Sequence, residues 1–123
     1  MIQSFNDLDV YKKSYALAIE INKLCLFIPS SERYDLISQM KRASKSIPAN
    51  IAEGYAKKKF EKEFIKHLII AMGSANEMEV HISFVKDFEY VPKNTAELLI
   101  NDYRILGKQL HKLIDNWQTY SKV

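Results

Sequence analysis

Apolar residues repeat at helical spacing through a long run in the second half of the chain. They are three or four positions apart: Phe60, Phe64, Leu68, Ala71, Ala75, Met78, Ile82 and Val85. This spacing places them on one face of an α-helix, the pattern of a helix packed in a bundle. The run therefore predicts a long helix whose seam is buried against other helices.

Three further stretches carry the same pattern. The first predicted helix begins near Asn6 or Asp7, with Asn6 as N-cap and a seam of Val10, Leu17, Ile21, Leu24 and Ile28. The second runs from about Glu32 to Glu53, with a seam of Leu36, Met40, Ala43, Ile47 and Ile51. The last begins at Asn94 as N-cap, with a seam of Leu99, Tyr103, Leu106, Leu110, Leu113 and Trp117.

Few residues are left to connect these helices. Phe88–Pro92 reads as a loop, Gly54 as the C-terminal stop of the second helix, and Pro48 as the site of a bend within it. Short connections force neighbouring helices to run antiparallel. We therefore predict an all-α fold, an antiparallel up-down-up-down four-helix bundle, as one domain over residues 1–123.

The residues give no support for catalysis. The three glycines lie at 54, 73 and 107, so no phosphate-binding loop is present. Glu63 and His67, like Glu77 and His81, lie four apart and are read as intrahelical contacts rather than metal ligands. We expect no enzymatic activity, no metal and no cofactor.

The chain carries one cysteine, Cys25, in an apolar stretch. We expect its thiol to be buried and the protein to be cytoplasmic, with no membrane association. Asp7 and Asp9 near the start do not suit a signal peptide.

Positive charge is concentrated in the middle of the chain. Between residues 41 and 59 one acid, Glu53, accompanies six basic residues: Lys41, Arg42, Lys45, Lys57, Lys58 and Lys59. Cations displayed on one surface can bind the phosphates of RNA or DNA. A merely solvated face is the alternative.

Polar residues follow the seam of the second helix, at Gln39, Arg42, Ser46, Asn50 and Glu53. Polar groups beside a core stripe tend to be half-buried and hydrogen-bonded. We therefore predict that Asn50 and Glu53 bond to another helix or subunit.

The stretch from Gln39 to Gly54, which ends Asn50-Ile51-Ala52-Glu53-Gly54, resembles the signature of the 23S rRNA intervening-sequence protein family, also called the four-helix-bundle protein family. A second element matches at Phe64, Leu68, Ile70, Ala71, Gly73, Ser74 and Glu77. Further matches lie at Phe5, Leu8, Val10, Tyr11 and Lys13, and at Pro29, Glu32, Tyr34 and Leu36, so the resemblance extends from about Phe5 to Tyr90.

The resemblance implies a four-helix bundle that assembles as a homopentamer and has no enzymatic activity. Founding members are encoded within bacterial ribosomal RNA genes. A related branch, the accessory protein of diversity-generating retroelements, associates with nucleic acid and a reverse transcriptase. Apolar residues beside the seams also favour an oligomer: Tyr11, Tyr15, Ile65, Ile69 and Met72.

Two functions stay open. One is an oligomeric bundle that binds RNA or DNA through a basic surface. The other is a protein-interaction scaffold without nucleic-acid binding.

Overall fold

The computed structural model describes residues 2–121, with side chains through Trp117. Four helices make up most of this range: α1 (Asp9–Leu24), α2 (Leu36–Ala56), α3 (Glu61–Asp87) and α4 (Lys93–Ser121). Short 3-10 turns at Phe5–Asp7, Cys25–Phe27 and Ser30–Glu32 precede α1 and connect α1 to α2. The all-α prediction is confirmed.

The helices pack in a closed square, in which α2 and α4 each contact both α1 and α3. Contacts across the helix pairs show their directions. Arg42 on α2 contacts Glu77 on α3, and Gly54 on α2 lies against His67 on α3. Residue numbers therefore rise along α2 in the direction in which they fall along α3. The same holds for α3 and α4, where Glu79 contacts Arg104 and Phe64 contacts Trp117. Both pairs are therefore antiparallel.

The predicted seams form the core. Every predicted seam residue of α1, α2 and α3 is buried except Phe60, whose side chain is 67% exposed. Phe60 precedes the first residue of α3 and has an extended backbone, so it does not share the helical face. On α4, Leu113 and Trp117 are half-buried at the edge of the core. Ile65, which the sequence placed with the apolar residues outside the seams, is instead buried within the bundle at 8% exposure.

Three predicted helix starts are wrong. Asn6 lies within a 3-10 turn capped by Ser4, and the extended backbone of Leu8 delays α1 until Asp9. Glu32 ends another 3-10 turn, so α2 begins at Leu36. Asn94 lies inside the first turn of α4, because the amide of Ala96 already donates to the carbonyl of Pro92 at 3.2 Å.

The second helix continues beyond both residues that were expected to disturb it. It passes through Pro48 and Gly54 and ends at Ala56, so Gly54 is not its C-terminal stop. A bend at Pro48 stays a prediction. Gly54 is instead buried where α2 crosses α3: a Cβ atom added there would lie 2.8 Å from His67 Cβ and 3.1 Å from Phe64 Cδ1. The glycine allows the two helices to approach this closely.

Candidate functional site

The six central cations belong to two separate groups. Lys41, Arg42 and Lys45 lie in the first half of α2, whereas Lys57–Lys59 form the turn that connects α2 to α3. Lys57 follows Lys45 by twelve positions, which is about 18 Å at the rise of an α-helix. The structure therefore does not unite the six in one cluster.

The first group lines a shallow groove on the outer side of α2, which we call the α2 groove. Its volume is about 750 Å³, and its lining residues are Arg33, Tyr34, Ile37, Ser38, Lys41, Arg42, Lys45, Ser46 and Ala49. Four of these residues are cations, and none is an aspartate or glutamate. An anion in this groove would meet positive charge, and no lining residue contributes a carboxylate.

A second groove, the α1–α2 groove, lies between those two helices. Its volume is about 530 Å³. Most of its lining is apolar: Phe5, Tyr11, Tyr15, Ala18, Ile19, Pro48, Ala49 and Ala52, with Asn22, Lys23, Lys41, Ser44 and Lys45 completing it. Lys41, Lys45 and Ala49 line both grooves, so they form the ridge between them.

Several central cations already have partners. Arg42 forms an ion pair with Glu77 at 3.5 Å. The ammonium of Lys57 lies 3.1 Å from Nε2 of His67. The ammonium of Lys58 donates to the Tyr55 hydroxyl at 2.8 Å and lies 4.0 Å from the centre of its ring. By contrast, Lys41 and Lys45 make no ion pair with any residue whose side chain the structure describes.

The polar residues of α2 are bonded mainly along the contact with α3. The hydroxyls of Ser46 and Ser74 lie 3.1 Å apart. The ring of His67 donates from Nδ1 to Oδ1 of Asn50 at 3.0 Å, and the Asn50 amide donates to the Ser46 carbonyl at 2.9 Å. The prediction that Asn50 bonds to another helix is confirmed.

Two residues of the polar pattern behave differently. The amide of Gln39 donates to the Asp35 carboxylate at 2.9 Å, so it bonds at the start of its own helix rather than crossing to α3. Glu53 is exposed, and within the described range it has no hydrogen-bond or ion-pair partner. Among the described residues Glu53 bonds to no other helix, because the contact with α3 passes through Gly54 instead. A bond from Glu53 to another subunit stays a prediction.

The two histidines of α3, His67 and His81, bond to neighbouring side chains. Nε2 of His81 donates to the Glu77 carboxylate at 2.8 Å, the intrahelical contact expected from the sequence. His67 bonds to Asn50 and Lys57, on the side of α2, and not to Glu63. Among the side chains described, no three histidine, cysteine or acidic residues gather as metal ligands. Cys25 is buried, and burial raises the pKa of its thiol.

No neighbouring atom approaches Gly73 closely. A Cβ atom added there meets nothing within 4 Å, and the same is true of Gly107. Gly73 lies on the exposed side of α3, between the exposed apolar side chains of Ile69 and Val80.

Several residues of the grooves were missed by sequence reasoning, among them two cations and one exposed aromatic residue. Lys23 lies on α1, and Arg33 and Tyr34 lie in the turn before α2. None belongs to the stretch where cations are dense in the sequence. Spacing could have identified Tyr34, since Tyr34, Ser38, Lys41 and Lys45 are three or four apart.

We expect the bond between Asn50 and His67 to stabilise the bundle. Asn50→Ala removes the acceptor of the half-buried His67 ring and two bonds to Ser46, and should lower the free energy of unfolding by about 1–2 kcal/mol. Chemical denaturation of Asn50→Ala, His67→Ala and the double variant measures the coupling. Additive losses would show that the bond contributes nothing.

A protein family and a solved structure are similar to this chain. The family model described as 23S rRNA-intervening sequence protein matches residues 6–112. A crystal structure of a protein of unknown function from the S23 ribosomal protein family of Bacteroides thetaiotaomicron VPI-5482 is 31% identical, with a TM-score of 0.76. The match covers 85% of this chain and 97% of that one.

A search of curated proteins finds no match. Over residues 2–121, no helix combines the length and the apolar character needed to cross a membrane.

The family model spans most of the chain, and a related bundle matches it in sequence and fold. The chain therefore belongs to the 23S rRNA-intervening sequence protein family.

Proposed function

We propose that this protein acts by binding RNA or DNA, without catalysis, and that the α2 groove is the binding surface. The observation that carries the proposal is the lining of the groove: Arg33, Lys41, Arg42 and Lys45, with no acidic residue. Phosphate groups are the anions that such a surface attracts in a nucleic acid. Contacts of this kind fix position rather than read base sequence, so little sequence preference is expected.

Lys41 and Lys45 are the principal phosphate contacts in this proposal. They lie one helical turn apart and have no acidic partner among the described residues, so their charge is available to a ligand. Arg42 contributes less, because it shares its charge with Glu77. Lys57, Lys58 and Lys59 lie at the end of the bundle and would contact only a ligand that extends beyond the groove.

Self-assembly is the second part of the proposal. An exposed, mainly apolar stripe runs along the outer face of α3, where Ile69, Val80 and Phe84 are 52%, 54% and 48% exposed. Gly73 is also exposed, and it lets a neighbouring chain approach the helix closely because it carries no side chain. Asn76 is an exposed polar residue within the stripe. Apolar surface of this kind is typical of a contact between proteins.

The stripe and the α1–α2 groove are both mainly apolar, so they can pack against each other. They lie on different helices of the same chain, so a stripe on one copy can enter the groove of the next. Such head-to-tail contacts close into a ring when the rotation permits. We propose a homopentamer of this kind, in which the ridge of Lys41 and Lys45 repeats on every copy. Repetition would multiply a weak phosphate contact through effective concentration.

Charge reversal on the ridge tests the binding surface. Fluorescence anisotropy with a labelled single-stranded RNA at low salt should show binding by the wild-type protein. The double variant Lys41→Glu and Lys45→Glu should bind at least about tenfold more weakly, because two phosphate contacts become repulsive.

A matched control is available on α4. Lys108 and Lys112 are exposed and also lie one turn apart, so reversing both gives the same change in net charge elsewhere on the bundle. This control should retain most of the affinity. Equal losses in both double variants would assign binding to net charge alone, and failure of the wild type to bind would leave the scaffold function.

A further inference from the structure

Tyr34 stands out among the aromatic residues by its exposure. Its side chain is 89% exposed, whereas Tyr11 and Tyr90 are half-buried against the core. It makes no aromatic contact and no side-chain hydrogen bond within the described range. The bundle therefore gains little from this ring.

The position of Tyr34 places its ring beside the cations of the α2 groove. It lies in the turn before α2 and lines the same groove as Arg33, Lys41 and Lys45. An aromatic ring beside a track of cations is the arrangement with which proteins bind single-stranded nucleic acid, since bases stack on the ring while cations contact the backbone.

We infer that Tyr34 stacks on a nucleobase of a single-stranded segment whose phosphates lie along Arg33, Lys41 and Lys45. This inference rests on the proposed nucleic-acid binding and specifies the ligand as single-stranded. Lys41 and Lys45 are about 6 Å apart along the helix axis. Successive phosphates of an extended strand have a comparable spacing, so neighbouring nucleotides can occupy the two lysines.

Stacking on Tyr34 also predicts that the site distinguishes single strands from duplexes. Inside a duplex both faces of each base are covered by neighbouring base pairs, so Tyr34 cannot stack on an internal base without disrupting the helix. Duplexes can use the cations but not the tyrosine. Every base presents a π-face, so the stacking contact tolerates any sequence.

The test compares one strand in two forms. A fluorescein-labelled RNA of about 16 nucleotides, without self-complementarity, is titrated alone and after annealing to its complement. Tyr34→Ala should weaken binding of the single strand by about 5- to 150-fold and leave duplex binding unchanged. Tyr34→Phe retains the ring and should bind as the wild type does. The DNA strand of the same sequence should respond in the same way.

Each other outcome has a distinct meaning. If Tyr34→Ala weakens both forms equally, or neither, the stacking inference is wrong while the proposed phosphate binding stands. If the wild type binds neither form at low salt, the proposed function fails as well. Light scattering of Tyr34→Ala separates a third case: a change in oligomer mass would assign the ring to contact between copies and overturn its role in stacking.

Discussion

Gly54→Ala is expected to lower the free energy of unfolding by about 1–2 kcal/mol, although alanine favours a helix by about 1 kcal/mol over glycine. The added Cβ would lie 2.8 Å from His67 Cβ and 3.4 Å from the Phe64 carbonyl oxygen. Both atoms belong to or adjoin the α3 backbone, so rotation of a flexible side chain cannot relieve the overlap. The helices must move apart, which loosens the core around Phe64.

The same substitution at Gly107 is the control. A Cβ atom there meets nothing within 4 Å, so Gly107→Ala should raise stability by about 1 kcal/mol through helix propensity. Urea denaturation of both variants gives the comparison. Equal stabilisation by the two alanines would show that α2 and α3 are not held as closely as the structure indicates.

Val80→Glu is expected to convert the proposed pentamer into single chains. The wild-type protein should scatter light with the mass of five chains of 14.3 kDa each. A carboxylate on the apolar stripe of α3 would be desolvated in the contact with the next copy, which is strongly unfavourable. Ile19→Glu places the same charge in the α1–α2 groove, where Ile19 is 45% exposed. Both substitutions are at exposed positions, so both variants should stay folded.

Mixing the two variants tests the head-to-tail arrangement. The Val80→Glu chain keeps an intact groove, and the Ile19→Glu chain keeps an intact stripe. One good contact can form between them and no more, so the mixture should give dimers. A mixture that stays monomeric would contradict the pairing of stripe with groove. A wild-type protein that is itself monomeric at micromolar concentration would contradict self-assembly altogether.

The interior of the fold could be predicted because large apolar residues recur at helical spacing. Leu68, Met78 and Ile82 are all fully buried, as their positions in the α3 pattern required. Helix ends were harder because they depend on local backbone geometry. Nothing in the apolar pattern distinguishes the 3-10 turn at Ser30–Glu32 from the first turn of α2.

The polar pattern of α2 shows how a small angular difference changes the outcome. Steps of four residues lead from Arg42 to Ser46 and Asn50, each bonded to α3. The next step of four arrives at Gly54, which is buried against α3, whereas a step of three arrives at Glu53, which points to solvent. Sequence spacing allows either step, and only the crossing of the two helices selects one.

The candidate site was predicted in part for a related reason. A count of charges along the sequence identified Lys41 and Lys45 but also Lys57–Lys59, which the length of α2 carries to the end of the bundle. Arg33 and Tyr34 join the groove through the turn before α2, whose path the sequence did not predict. Proximity along the chain is a poor guide to proximity on a helical surface.

Salt dependence measures the central claim, phosphate binding by the α2 groove, most directly. Affinity of the wild-type protein for the labelled single strand is determined across a series of salt concentrations. Three phosphate contacts from Arg33, Lys41 and Lys45 predict that the logarithm of the association constant falls against the logarithm of salt with a slope of about −2 or steeper. Binding that does not change with salt, or no binding at the lowest salt, would contradict the account.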